Sequence, residues 1–255
     1  MTGKRNNIYF ASDMHLGMHP AGDSREREKH LVAWLTRIGP EAKELWLLGD
    51  VFDYWFEYRK VVPRGFVRFI GKLAELADQG VKIHIFSGNH DVWLSDYFPE
   101  EIGAEIHHDP MVVSMGSRRF YLSHGDGLTD KDRGYLFLKS IFRNKFLQWC
   151  YARLHPNGTS AFAQWWSRKS RYGKEMVEPF KEENEEQIIF AREKLKTDPG
   201  IDLFIFGHRH IPYDVELAPG KRAVCLGDWI SSYSYGVFDG KEFRLETFQK
   251  KPVHC

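Results

Sequence analysis

The stretch Leu203-Phe204-Ile205-Phe206-Gly207-His208-Arg209-His210-Ile211-Pro212-Tyr213 decides the fold class. Four consecutive β-forming apolar residues read as a strand buried on both faces, as in an α/β protein. Gly207 ends the run, and His208 and His210 then stand just beyond the carboxyl end, where such strands deliver ligands. Twelve His in 255 residues make one close pair unremarkable in itself. What gives the pair weight is that the same kind of ending recurs along the chain.

Apolar strands are predicted over 8–11, 44–48, 81–86, 112–115, 119–123 and 202–206. Helices fall between them at 24–38, where Ser24 is placed to cap, and at 65–79; Leu31, Trp34, Leu35 and Ile38 share a face of the first. The order β-α-β-α-β implies a parallel sheet with helices on its faces. A hairpin is predicted around Gly116, an acidic helix over 176–196, and short strands at 213–217, 223–226, 235–238 and 243–248.

Five of these strand ends carry polar donors: Asp13 and His15, Asp50, Asn89, His124, then His208 and His210. Ends on one side of a sheet converge, so one crevice can hold all seven. Carboxylates and imidazoles without a thiolate suit Mn, Fe, Zn or Co in a catalytic rather than a structural site. Seven donors exceed one ion's needs but suit two ions sharing a carboxylate, an arrangement that clamps a phosphoryl group and activates water. The two histidines alternate in direction, so each can face a different ion. His30, His84, His107, His108, His155 and His254 are read as structural or solvated, and so is His19.

Length and composition (42% apolar, 15% aromatic) fit one domain over 1–255. No run approaches the roughly 20 apolar residues of a membrane span. The first residues show no apolar signal region. Three widely spaced cysteines argue against a disulfide framework and for a reducing compartment. A soluble cytoplasmic protein is expected.

A net charge of +1 hides an asymmetry. Residues 131–174 hold ten Lys or Arg against Asp132 alone, together with ten aromatics, while 175–186 carries six Glu against one Lys. Within 135–151 the apolar residues form a continuous face beside a basic one, as in an interfacial helix or a lipid-lined cleft. A plain structural cap and a nucleic-acid groove are the alternatives, the second disfavoured because few aromatics stand as isolated platforms.

The motifs Asp13-x-His15, Gly49-Asp50-x-x-Asp53, Gly88-Asn89-His90-Asp91, His124 and Gly207-His208-x-His210 resemble, in order, those of the calcineurin-like metallophosphoesterases. The resemblance implies a four-layer αββα sandwich, two mixed sheets flanked by helices, with a helical insertion over the active site at about 128–175. It also implies two divalent ions, Mn first, with Fe, Zn or Co as alternatives. By position, Asp13, His15 and His210 would hold one ion, and Asn89, His124 and His208 the other, with Asp50 between them. His90 would polarise the phosphate or protonate the leaving oxygen, and Asp53 would orient it as imidazolium.

A narrower resemblance concerns substrate. Gly49-Asp50-Val51-Phe52-Asp53-Tyr54-Trp55 is similar to the G-D-L-F-E-x-W of UDP-2,3-diacylglucosamine diphosphatases of the lipid A pathway, and His124 to Leu128 with Asp132 and Tyr135 matches the start of that family's insertion. Ser167, Ser170 and Lys174 fall where its polar substrate contacts lie; Trp55, Phe142, Phe146, Trp149 and Arg171 are further candidates for contact with substrate. Such enzymes attack the α-phosphate, releasing UMP and diacylglucosamine 1-phosphate at the cytoplasmic face of the inner membrane. An amphipathic sugar-nucleotide lipid and an anionic membrane surface are thus the expected partners, with no nucleic acid and no obligate protein. The best-known branch carries Arg at the position of His90, and Arg171 stands where a small polar residue is usual. A soluble phosphoesterase acting on nucleotides or small phosphodiesters is the competing function; a nuclease, or a binding module that lost its chemistry, follows.

Overall fold

The computed structural model describes residues 5–18, 24–128, 133–172 and 179–249. Two mixed sheets lie face to face. The first joins β1 (Asn7–Ala11), β2 (Ala42–Leu48), β3 (Lys82–Phe86) and β4 (Glu105–His107) in parallel, and adds β10 (Ser234–Phe238) and β11 (Phe243–Thr247) antiparallel beyond β1. The second runs β5 (Met111–Met115), β6 (Arg118–Leu122), β7 (Leu203–Phe206), β9 (Lys221–Cys225), β8 (Tyr213–Ala218), with β6, β7 and β9 parallel.

The strand period of two builds the layers. Tyr9 and Ala11 turn toward α1 (Ser24–Ile38) and α2 (Val67–Asp78), packing with Leu31, Trp34, Leu35, Phe69 and Leu73. Ile8 and Phe10 turn the other way, into the core between the sheets, where they meet Phe120, Leu122, Leu203 and Ile205. Phe204 and Phe206 leave that core on the far side and pack on Ile188 and Ala191 of α7 (Glu186–Thr197). The result is the expected αββα sandwich.

Several boundaries differ from expectation. Helix α2 starts two residues late because Gly65 (φ 111°) and Phe66 (φ 58°) are left-handed, and Glu28 of α1 accepts its first N–H groups, from Arg68 (2.7 Å) and Phe69 (3.2 Å). Ser24 is the first helical residue rather than a cap; its hydroxyl accepts from the Gly17 N–H at 2.8 Å. The acidic helix is shorter than predicted, with a 3-10 turn at Glu182–Asn184 before it. The short α3 (Tyr97–Ile102) and β4 had no sequence prediction.

The insertion is helical, as α4 (Arg133–Arg143), α5 (Lys145–Tyr151) and α6 (Pro156–Tyr172). Its break falls at Asn144, whose side chain accepts from the N–H groups of Phe146 (3.0 Å) and Leu147 (3.1 Å) and so starts a new helix. An aromatic seam docks it on the core. Tyr151 packs against Phe56 and Trp93, its hydroxyl lies 3.1 Å from that of Tyr54, and the Trp93 indole donates to the Phe142 carbonyl at 3.0 Å.

Candidate active site

The carboxyl ends of β1, β2, β3, β6 and β7 meet in one place. Asp13, His15, Asp50, His208 and His210 all take left-handed backbone (φ between 43° and 69°), so five of the eight non-glycine residues with positive φ among those described sit here. Such conformations cost of order 1–3 kcal/mol each and cluster where chemistry requires them. Space is equally tight: a Cβ on Gly88 would lie 2.2 Å from Asp50 Oδ1, and one on Gly49 would lie 2.6 Å from His124 Nδ1.

Two donor groups hold the expected ligands, Asp13 with His15 and His210, and Asp50 with His124 and His208; a third, His15 with Asp53 and His90, adjoins the first. In the first, His15 Nε2 lies 3.3 Å from His210 Nε2, and Asp13 Oδ1 lies 3.8 Å and 3.5 Å from these two atoms. In the second, Asn89 Oδ1 stands 3.2 Å from His124 Nε2 and 3.1 Å from His208 Nδ1. Asp50 Oδ2 lies between the groups, 3.7 Å from His15 Nε2 and 3.4 Å from His124 Nε2. Its Oδ1 is already used, accepting from the His90 N–H at 2.8 Å.

These residues fit cations. Asp13 and Asp50 are 0% and 1% exposed, and Asp13 Oδ1 has no hydrogen-bond partner, a costly state for a buried carboxylate unless a cation meets it. Two of the imidazoles are held in the tautomer that coordination needs. Nδ1 of His124 faces the Leu48 carbonyl at 2.8 Å and can only donate there, which leaves Nε2 as the free donor atom. Asp228 Oδ2 does the same for His210, 3.3 Å from its Nδ1. Burial works to lower the His124 pKa, but the charges of Asp50 and then Asp13 outweigh it, so in the metal-free chain it stands well above 6.5. Burial pushes His208 the other way, down to about 4.

Asp91 braces the site without facing it. Fully buried, its carboxylate accepts the N–H groups of Gly88 (2.7 Å), Val51 (2.8 Å), Phe52 (3.2 Å) and Asp50 (3.3 Å), tying the end of β2 to the end of β3. Arg209, between the two histidines, forms an ion pair with buried Glu185 at 2.6 Å. Gln187 of α7 adds a hydrogen bond to the Gly207 carbonyl at 2.9 Å, so α7 fixes the His208–His210 turn from behind.

His90 borders the first group, edge-on to His15 at 4.9 Å, and keeps 19% exposure. Its Nδ1 is nearer the Asp53 carbonyl (3.2 Å) than the Asp53 carboxylate (3.7 Å), which is shared with His15 Nδ1 at 3.4 Å. Burial pushes the His90 pKa down to about 4, against the opposing charge of Asp50.

The expected substrate contacts divide. Phe146 and Trp149 are 68% and 54% exposed and stack on one another, whereas Phe142 packs on Trp93. Trp55 is 0% exposed among Phe52, Tyr97 and Phe98, with its indole donating to Glu57 at 2.9 Å, so it is a core residue here. Tyr135 falls on α4, and Ser167, Ser170 and Arg171 on α6; Asp132 and Lys174 lie outside the described residues. Sequence reading missed Asp228 and the brace made by Asp91.

The sequence of the calcineurin-like phosphoesterases, as a family model, matches residues 7–212. The chain belongs to that family. It is 45% identical to the UDP-2,3-diacylglucosamine hydrolase of Porphyromonas gingivalis, over 96% of this chain and 98% of that one, and 32% identical to the Aeromonas salmonicida protein of the same name, over 93% and 91%. Among solved structures, the phosphoesterase YfcE of E. coli aligns with 91% of this chain and 87% of its own at 18% identity and a TM-score of 0.43. The family uses divalent metals, and the donor groups above are where this metal-dependent hydrolase can hold them.

Proposed function

We propose that the protein hydrolyses the pyrophosphate of UDP-2,3-diacylglucosamine, giving UMP and 2,3-diacylglucosamine 1-phosphate, with two ions, Mn first, in the paired donor groups. Asp13, His15 and His210 would hold one and Asn89, His124 and His208 the other, with Asp50 placed to serve both. When bound, such ions supply positive charge to the phosphoryl oxygens and lower the pKa of a coordinated water. His90 donates Nδ1–H to the Asp53 carbonyl, which leaves Nε2 toward the substrate. An anionic phosphate arriving there opposes the burial that keeps the ring neutral, so His90 takes up a proton with the substrate and hands it to the leaving oxygen.

The observation that carries the choice of substrate is the surface of the insertion. Seven of the eleven exposed large hydrophobic residues among those described lie between Phe137 and Trp165, five of them aromatic. A lid that only packed on the core would bury them; acyl chains or a bilayer interface would cover them. The names of the curated relatives, over nearly the whole chain, support the same reading. No described helix is long and apolar enough to cross a membrane, so contact with the inner membrane's cytoplasmic face would be peripheral, through the insertion at about 128–175. Product analysis on the diacylated and deacylated sugar nucleotides tests this. Preferred turnover of the diacylated compound is expected, and equal turnover favours a soluble phosphoesterase.

A further inference from the structure

Away from the active site, the edge strand β4 and its neighbour β3 place a second kind of donor group. Their parallel register sets His84 opposite Glu105 and Phe86 opposite His107. Alternation along the strands then puts His84, Glu105 and His107 on one face. The His84 ring lies flat on Trp46 of β2, 3.7 Å away and 8° from parallel, which fixes its plane. Its Nδ1 stands 3.2 Å from His107 Nε2 and 3.3 Å from Glu105 Oε2.

Hydrogen bonds alone serve this geometry badly. Nδ1 of His84 carries either one proton or one lone pair. As a donor it can satisfy one neighbour well, not both; as an acceptor from His107 it turns its lone pair toward the oxygens of Glu105. A cation meets all three lone pairs at once. Tetrahedral zinc with bonds of 2.0–2.1 Å sets its ligand atoms about 3.3–3.4 Å apart, close to both observed separations.

We infer that His84, Glu105 and His107 form a further divalent-cation site of the zinc class, distinct from the catalytic donors. His84 is 7% exposed and Glu105 66%, so the site is closed behind and open in front, where water or an exogenous ligand completes the coordination. It lies on a cleft of about 310 Å³ between the sheet edges. Lys43 and Lys82 also line that cleft, but the Lys43 charge is met by Glu44 at 3.0 Å. The site belongs to the strap between crevice and insertion. The His107 carbonyl accepts from the Ser87 N–H at 2.9 Å, two residues before Asn89, while Arg143 of α4 holds Asp109 at 2.7 Å and the His108 carbonyl. His107, read from sequence as solvated, is instead half-buried and part of this group.

The test is zinc titration of chelator-stripped protein against a chromophoric competitor, with Co²⁺ spectra as a second readout. The wild type is expected to take up about one equivalent more than His107→Ala, and Glu105→Gln, a change at an exposed position that cannot unfold the sheet, to weaken that equivalent by about tenfold or more. An Asp50→Ala protein, impaired at the catalytic donors, should keep the extra equivalent and its tetrahedral cobalt absorption, and lose both when His107→Ala is added. His107→Ala alone should still turn over a small phosphodiester. Equal zinc uptake by wild type and His107→Ala, or affinity only on the order of millimolar, would overturn the site while leaving the proposed hydrolase reading untouched.

Discussion

Asp228 Oδ2 lies 3.3 Å from Nδ1 of His210, and so turns the other nitrogen of that ring toward Asp13. Burial works to raise the Asp228 pKa, but the hydrogen bond to His210 and the N–H groups of Ser232 and Ser231 outweigh it and hold the carboxylate ionised. Asp228→Asn keeps an acceptor for the 228–232 turn but removes the charge. Metal affinity should fall by about 10–100-fold, read by competition with a chelator. An unchanged affinity would show that Asp228 serves only the turn.

His124 links metal uptake to pH. Its pKa in the metal-free fold stands well above 6.5, so near neutrality the ring is charged. That protonation stabilises the metal-free fold fully below 6.5, and the contribution is lost as pH rises through the folded value. A cation must displace the proton. Metal binding at pH 7 should therefore release about one proton and tighten with rising pH. Calorimetry in buffers of different ionisation enthalpy measures this, and a buffer-independent heat would contradict it.

His90 sits beside the donors without joining either of the two groups that hold Asp50 and Asp13. His90→Ala should retain metal at wild-type content and lose about 10²–10⁴-fold in kcat. His90→Arg should recover part of the loss if charge at the phosphate is what matters. An unchanged kcat in the alanine variant would place His90 outside the reaction.

That these donors would converge was legible because each stands directly after an apolar strand, and sheet topology brings such ends together. Asp228 was missed because its importance lies in touching residue 210, which no local pattern states. A signal was present, however: Leu226-Gly227-Asp228 repeats the ending of Leu48-Gly49-Asp50. The letter of Asp91 was read, but its four backbone partners exist only once two loops meet. Trp55 failed in the opposite way, since a motif aromatic was assigned to substrate where packing among Phe52 and Phe98 buries it. Strand β4, with three residues, and α3, with six, are too short to show periodicity. The break at Asn144 was hidden by the continuous apolar face on either side of it.

The insertion separates substrate classes. Phe146, Trp149 and Phe162 are exposed, so polar replacement should cost little stability. If they cover acyl chains, at about 0.8 kcal/mol per buried CH₂, Phe146→Ser, Trp149→Ser and Phe162→Ser together should cripple turnover of the diacylated sugar nucleotide. Turnover of a small chromogenic phosphodiester should persist in the same protein. An equal fall in both activities, at wild-type metal content, would make the insertion purely structural.

In the proposed reaction this crevice cleaves a lipid-linked pyrophosphate at the uridine-side phosphate. Hydrolysis of UDP-2,3-diacylglucosamine in ¹⁸O-labelled water, followed by mass spectrometry of both products, tests it most directly. One ¹⁸O in UMP and none in 2,3-diacylglucosamine 1-phosphate is the predicted result. Label in the sugar phosphate, or no cleavage of this substrate by protein that still turns over a small phosphodiester, would contradict it.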